Sequence, residues 1–117
     1  MSEEILDLPE FLERVQDDKE LLLELFDIYQ EDYSEKRTLM EEAIKTNNVE
    51  EVKSIAHSLK GASGNISAKG LHKLFFQLED KGKNNDLSGS DAVLVEVDVE
   101  YEKLSTRITE IREEFSS

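Results

Sequence analysis

From Lys19 to Thr46 the chain runs without a glycine or a proline, and its apolar residues recur at threes and fours: Leu22, Leu25, Phe26, Tyr29, Tyr33, Met40, Ala43 and Ile44. That spacing lines one face of an α-helix, whereas a strand needs alternation. The whole sequence has one proline, Pro9, and five glycines, too few breakers for a many-turned β fold. An all-α chain is therefore predicted, with the long segment as its first major helix. Leu21 and Ile28 lie off its stripe and are expected to receive a short helix that precedes it.

The remaining elements follow from caps and stripes. Asp7 is placed to cap the short opening helix, with Pro9 in its first turn and Leu8, Phe11, Leu12 and Val15 as its apolar side. Asp18 caps the long helix. Asn47-Asn48 interrupts the pattern, and Asn48 starts a third helix with Glu51 as capping-box partner. This helix ends near Gly64 or Asn65. Ser67 is expected to cap a fourth helix, striped by Leu71, Leu74, Phe75 and Leu78 and stopped by Gly82. The polar loop "KNNDLSGS" leads to a last helix beginning at Ser90. Val93, Val95, Val97 and Val99 alternate as in a strand, but Leu94, Val97, Tyr101, Leu104, Ile108, Ile111 and Phe115 continue at helical spacing over a longer span. The sum is an antiparallel four-helix bundle with a short N-terminal cap helix, a single domain over residues 1–117.

Charge and composition exclude several function classes. A formal net charge of −14 makes nucleic acid and anionic membrane surfaces poor partners, since both need clustered Lys and Arg. There is no cysteine, so disulfides and thiolate metal sites are out, and a reducing compartment is compatible. With no membrane-length apolar run and an acidic start unlike a signal peptide, the cytoplasm is the expected address. The two histidines, His57 and His72, are preceded at three residues by Ser54 and Lys69 rather than by glutamate, so a di-metal bundle site is not predicted. Two histidines alone are too few for zinc.

The third helix carries the stretch "IAHSLKGASGN", Ile55 to Asn65. At about 100° per residue, Val52, Leu59, Ala62, Ser63 and Ile66 fall within about 80° of Ile55 and make the buried stripe. His57 falls about 200° away, sharing its direction with Lys53 and Gly64, while Lys60 and Gly61 flank it. A glycine inside a helix costs about 1 kcal/mol against alanine. Gly64 has an ordinary explanation as a helix stop. Gly61, on the exposed side, makes sense where another surface must approach the backbone.

These residues resemble the signature of the histidine phosphotransfer (HPt) domain family. In "AHSLKGASGNISAKGLHKLFFQLED" the positions His57, Leu59, Lys60, Gly61, Ser63, Ala68, Leu71, Leu74, Leu78 and Glu79 match the family pattern, with Ser67 where a glycine is frequent. The opening "LDLPEFLERVQDDKELLLELFDIYQED" is also similar to the way such domains begin. The resemblance implies a phosphocarrier of multistep two-component signalling, without kinase activity of its own. His57 would accept a phosphoryl group from an aspartyl-phosphate on a receiver domain, or from a kinase, and pass it to another response regulator. Lys60 would compensate phosphoryl charge, and Glu79, at a position that is Glu or Gln in the family, would bond the other ring nitrogen. Lys53, Gly61, Gly64 and Phe76 would border the partner, although Phe76 could equally pack under the first helix. His72 has no Lys-Gly downstream and stands beside bulky Leu71 and Phe75, so it is the weaker phosphoacceptor candidate. No cofactor of its own is implied; Mg²⁺ is expected on the partner receiver. The expected partners are receiver domains and a hybrid sensor histidine kinase, with the chain itself a monomer. The rival reading is a non-catalytic helical adaptor that binds a protein through its acidic face.

Overall fold

Helix starts are set by side-chain oxygens at three places. Asp7 accepts from the Glu10 amide at 3.1 Å, Asp18 from Leu21 at 3.0 Å and Asn48 from Glu51 at 3.2 Å, each relieving an amide that has no intrahelical acceptor. The computed structural model describes residues 2–116 and contains, among these, six helices and no strand. They are α1 (Ser2–Ile5), α2 (Leu8–Arg14), α3 (Lys19–Lys45), α4 (Val49–Asn65), α5 (Lys69–Lys83) and α6 (Ser90–Ser116). The single turn α1 was not anticipated. The four long helices form the expected bundle, with α4 packed chiefly on α5 and α3, and α5 on α6. Helices α3 and α6 have 27 residues each, about 40 Å at 1.5 Å per residue, and set the 46 Å long axis.

The core follows the sequence stripes. Leu22, Phe26 and Met40 of α3, Val52 and Leu59 of α4, Leu71, Phe75 and Leu78 of α5, and Leu104, Ile108 and Ile111 of α6 are fully buried. Val93 and Val97 are buried while Val95 and Val99 are exposed, so the alternating valines divide between the two sides of a helix. Ser63, in the buried stripe of α4, is satisfied by the Tyr29 hydroxyl at 2.7 Å.

Local expectations are corrected at α2 and at Ser67. The short helix α2 does not rest on Leu21 and Ile28, which are exposed. It inserts Phe11 into the main stripe instead, edge-on to Phe26 with ring centroids 5.3 Å apart. It also clamps the α4–α5 turn. Arg14 donates to the carbonyls of Gly64 and Asn65, both at 2.7 Å. Lys69 pairs with Asp7 and Glu10, and the Asp7 amide donates to the Ser67 carbonyl at 2.9 Å. Ser67, in turn, is no N-cap. Ala68 occupies that position without a side-chain bond, and the Ser67 hydroxyl donates to Glu10 at 2.7 Å.

Helix ends are closed by polar residues in left-handed conformation, not by glycine. Asn47, Ser67 and Asn85 have φ of 53°, 63° and 56°. Around each, two amides turn back onto the last helical carbonyls: Asn48 to Ala43 and Asn47 to Ile44, Ala68 to Ser63 and Ser67 to Gly64, Asp86 to Lys81 and Asn85 to Gly82. This is the Schellman closure. It takes the Asn48 amide, so the reciprocal half of the expected capping box with Glu51 is not formed.

The glycines are thereby freed for other work. A Cβ on Gly82 would stand 2.8 Å from the Lys53 Cβ and 3.0 Å from its Cα, so Gly82 is a point of close approach between α5 and α4 and not the stop predicted for it. Around Gly61 a Cβ would meet nothing within 4 Å. The two should respond oppositely to alanine. Gly82→Ala is expected to destabilise by about 1–3 kcal/mol through overpacking, and Gly61→Ala to be neutral or stabilising by up to about 1 kcal/mol. Thermal melts of the two variants check this; a lower melting temperature for Gly61→Ala would mean that its open surroundings do not govern its choice.

Candidate functional site

Helix α4 presents His57 where it borders α5, and α5 presents Glu79 across the seam. The imidazole is outside, with its side chain 71% exposed, whereas the Glu79 side chain is 5% exposed. The two meet at 2.7 Å between His57 Nδ1 and Glu79 Oε2. An ionised carboxylate only accepts hydrogen bonds, so this contact places the ring proton on Nδ1. Nε2 is left with its lone pair, on a ring that stands in the open.

Lys60 completes the group. It lies three residues after His57, and its side chain crosses the seam to bring Nζ within 2.6 Å of Glu79 Oε1. The two Glu79 oxygens are thus divided between an ammonium and an imidazole. Burial alone would push the Glu79 carboxyl up, but the Lys60 ammonium, assisted by the His57 contact, holds it below the ordinary glutamate value of 4.5. A group held down in this way stabilises the fold above its unfolded value, and the contribution fades as pH falls through the native value. Wild-type melting temperatures should therefore fall more steeply below about pH 4.5 than those of Glu79→Gln, which has no proton to take up. Melts across that range check the slope; parallel curves would show that the carboxylate is not held down by its partners.

The remaining candidates are distributed along the same seam. Phe76, three residues before Glu79 on α5, is 51% exposed, and its ring lies 5.5 Å from Lys60 Nζ; it does not pack under the first helix. Lys53 is half-buried against Gly82 and pairs with Glu50 at 3.5 Å. Gly64 is half-buried, and a Cβ there would stand 3.2 Å from the His72 ring. His72 itself reaches back to α4, with Nδ1 at 3.0 Å from the Lys60 carbonyl oxygen. Of the two candidate glycines, Gly61 is the one that faces open space. His57, Lys60, Glu79 and Phe76 are therefore one contiguous group, with Gly61 one turn beyond, while Lys53 and Gly64 stand against α5. The Lys60–Glu79 pair and the ring over Lys60 were not foreseen, although Phe76 and Glu79 share a helix face at three-residue spacing.

The Hpt domain profile matches residues 24–114 of this chain, which spans α4, α5 and every member of the group. The chain belongs to the Hpt domain family. Its fold is similar to that of histidine-containing phosphotransfer protein B (HptB) from Pseudomonas aeruginosa PAO1, with a TM-score of 0.79 at 22% identity over 92% of this chain and 90% of that one. Among curated proteins none matches the sequence. As an Hpt domain, the chain serves histidine phosphotransfer in a phosphorelay, and Hpt domains are phosphocarriers that work with receiver domains and kinases rather than kinases themselves. Among the described residues, no helix is long and apolar enough to cross a membrane.

Proposed function

We propose that this Hpt domain carries its phosphoryl group on Nε2 of His57, receiving it from an aspartyl-phosphate on a receiver domain or from a kinase and returning it to a second receiver. The observation that carries this reading is the Glu79 carboxylate at 2.7 Å from Nδ1, which leaves an outward Nε2 with a free lone pair. In the accepting step Nε2 attacks phosphorus and forms the P–N bond. The bond from phosphorus to the aspartyl oxygen breaks, and the aspartate carboxylate departs with its electron pair. The ring, now with substituents on both nitrogens, becomes cationic, and Glu79 stabilises it through the Nδ1 proton. Lys60 stands one turn from His57 to balance the charge of the phosphoryl oxygens. The chain needs no cofactor of its own for this exchange; Mg²⁺ belongs to the receiver. The chain acts as a monomer, and Gly61 leaves room for the receiver's approach to the imidazole.

The test is incubation with a phosphorylated receiver domain. Transfer of acid-labile, base-stable phosphate to this chain is expected. A chain that binds the receiver and takes no phosphate would be the acidic helical adaptor instead.

A further inference from the structure

Phe76 is a large apolar side chain left half in water on the solvent side of α5, between Lys73 and Asp80. Its ring faces a cation: the centroid lies 5.5 Å from Lys60 Nζ, within the range in which an ammonium is drawn to an aromatic face. The same ammonium is 2.6 Å from Glu79 Oε1, and the Lys60 side chain is only 22% exposed. Lys60 is thus held between a carboxylate and a ring. A lysine on a helix surface ordinarily samples many rotamers of its four-carbon stem in water. Here its stem is laid across the α4–α5 seam, with the charged end beside the carboxylate that also holds His57.

We propose that Phe76 is a positioning residue for phosphoryl transfer, its ring keeping the Lys60 ammonium in the seam next to His57. The role rests on His57 being the phosphoacceptor. It makes Phe76 act through Lys60, which distinguishes it from an apolar contact made directly to the receiver. It also gives the ring a second consequence, because whatever holds Lys60 in place holds down the Glu79 carboxyl.

Phe76→Leu keeps the apolar bulk and removes the π face; Phe76→Tyr restores the face. In the wild type, the Lys60 Cε protons should be shifted upfield by the ring in NMR spectra. Phe76→Leu should abolish that shift and move the Glu79 carboxyl titration back towards the ordinary value. At saturating phosphorylated receiver, it should also slow acceptance about two- to fivefold, the loss expected for an exposed cation–π contact. Phe76→Tyr should recover all three. In a Lys60→Gln background, Phe76→Leu should slow acceptance no further. Unchanged Lys60 and Glu79 signals in Phe76→Leu would overturn the proposal. So would a loss confined to apparent receiver affinity that persists without Lys60, which marks a docking contact. A wild-type chain that takes no phosphate on His57 would overturn the reading of the site and this role together, whereas phosphorylation of the wild type with unmoved NMR signals would overturn only the role of Phe76.

Discussion

His57→Gln is expected to fold as the wild type does and to accept no phosphoryl group. The imidazole is largely exposed and belongs to no part of the core, and surface substitutions of this kind usually change stability by no more than about 0.5 kcal/mol. Glutamine is the informative replacement because its amide N–H can still donate to Glu79 Oε2. The buried carboxylate keeps a partner on that side, and Lys60 remains on the other at 2.6 Å. What glutamine lacks is a nucleophile: its nitrogen lone pair is delocalised into the carbonyl, and its oxygen is a poor attacker of phosphorus. Phosphorylated receiver, labelled on its aspartate, should transfer its label to the wild type and none to the variant, while thermal melts superimpose. Label retained by the variant would refute the assignment of His57. Label appearing on His72 would move the phosphoacceptor to α5, to a ring whose Nδ1 meets the Lys60 carbonyl oxygen instead of a carboxylate.

The long elements were legible because each is a stripe at helical spacing, and tertiary packing had only to accept what periodicity dictated. The caps at Asp7, Asp18 and Asn48 were legible for a related reason, since a short polar side chain at a helix start has one obvious use. The glycines misled. In sequence Gly82 has the place of a terminator, but the left-handed positions that end the helices are held by Asn47, Ser67 and Asn85, residues that tolerate this conformation less freely. Gly82 answers a demand from another helix, the backbone of Lys53, and sequence order carries no trace of that neighbour. The same limit applies at the site. Projection put His57 outside and Glu79 at the core margin, both from single-helix geometry. That Lys60 leans across to Glu79 depends on how α4 and α5 sit against one another. So does the placement of Lys53 and Gly64 against α5, which the helical projection had put on the same face as His57.

Removing the carboxylate should separate what Glu79 does for the ring from what it does for the fold. Glu79→Ala is expected to slow phosphoryl acceptance by about 10- to 100-fold, the range seen when the partner of a ligating histidine is removed, without abolishing it, because the nucleophile survives. Two losses add in this variant. The His57 ring loses the acceptor that fixes its proton on Nδ1, so the tautomer with Nε2 blocked becomes populated. The cation that develops on attack also loses its counter-charge. Glu79→Gln should fall between the alanine variant and the wild type: an amide oxygen still accepts from Nδ1 and keeps the tautomer, but no charge opposes the imidazolium. The order wild type, glutamine, alanine in single-turnover acceptance from a phosphorylated receiver is thus the signature of a carboxylate acting through the ring. Stability should follow a different order. With its one carbonyl oxygen turned to His57 Nδ1, glutamine sets its NH2 donor against the mostly buried Lys60 ammonium, and alanine leaves that ammonium without its carboxylate. Glutamine should therefore melt no higher than alanine although it transfers faster, so melting temperatures report the ion pair while rates report the ring. Equal rates in all three chains would reduce Glu79 to a structural counter-ion for Lys60, and the division of its two oxygens between α4 residues would then have no part in the chemistry.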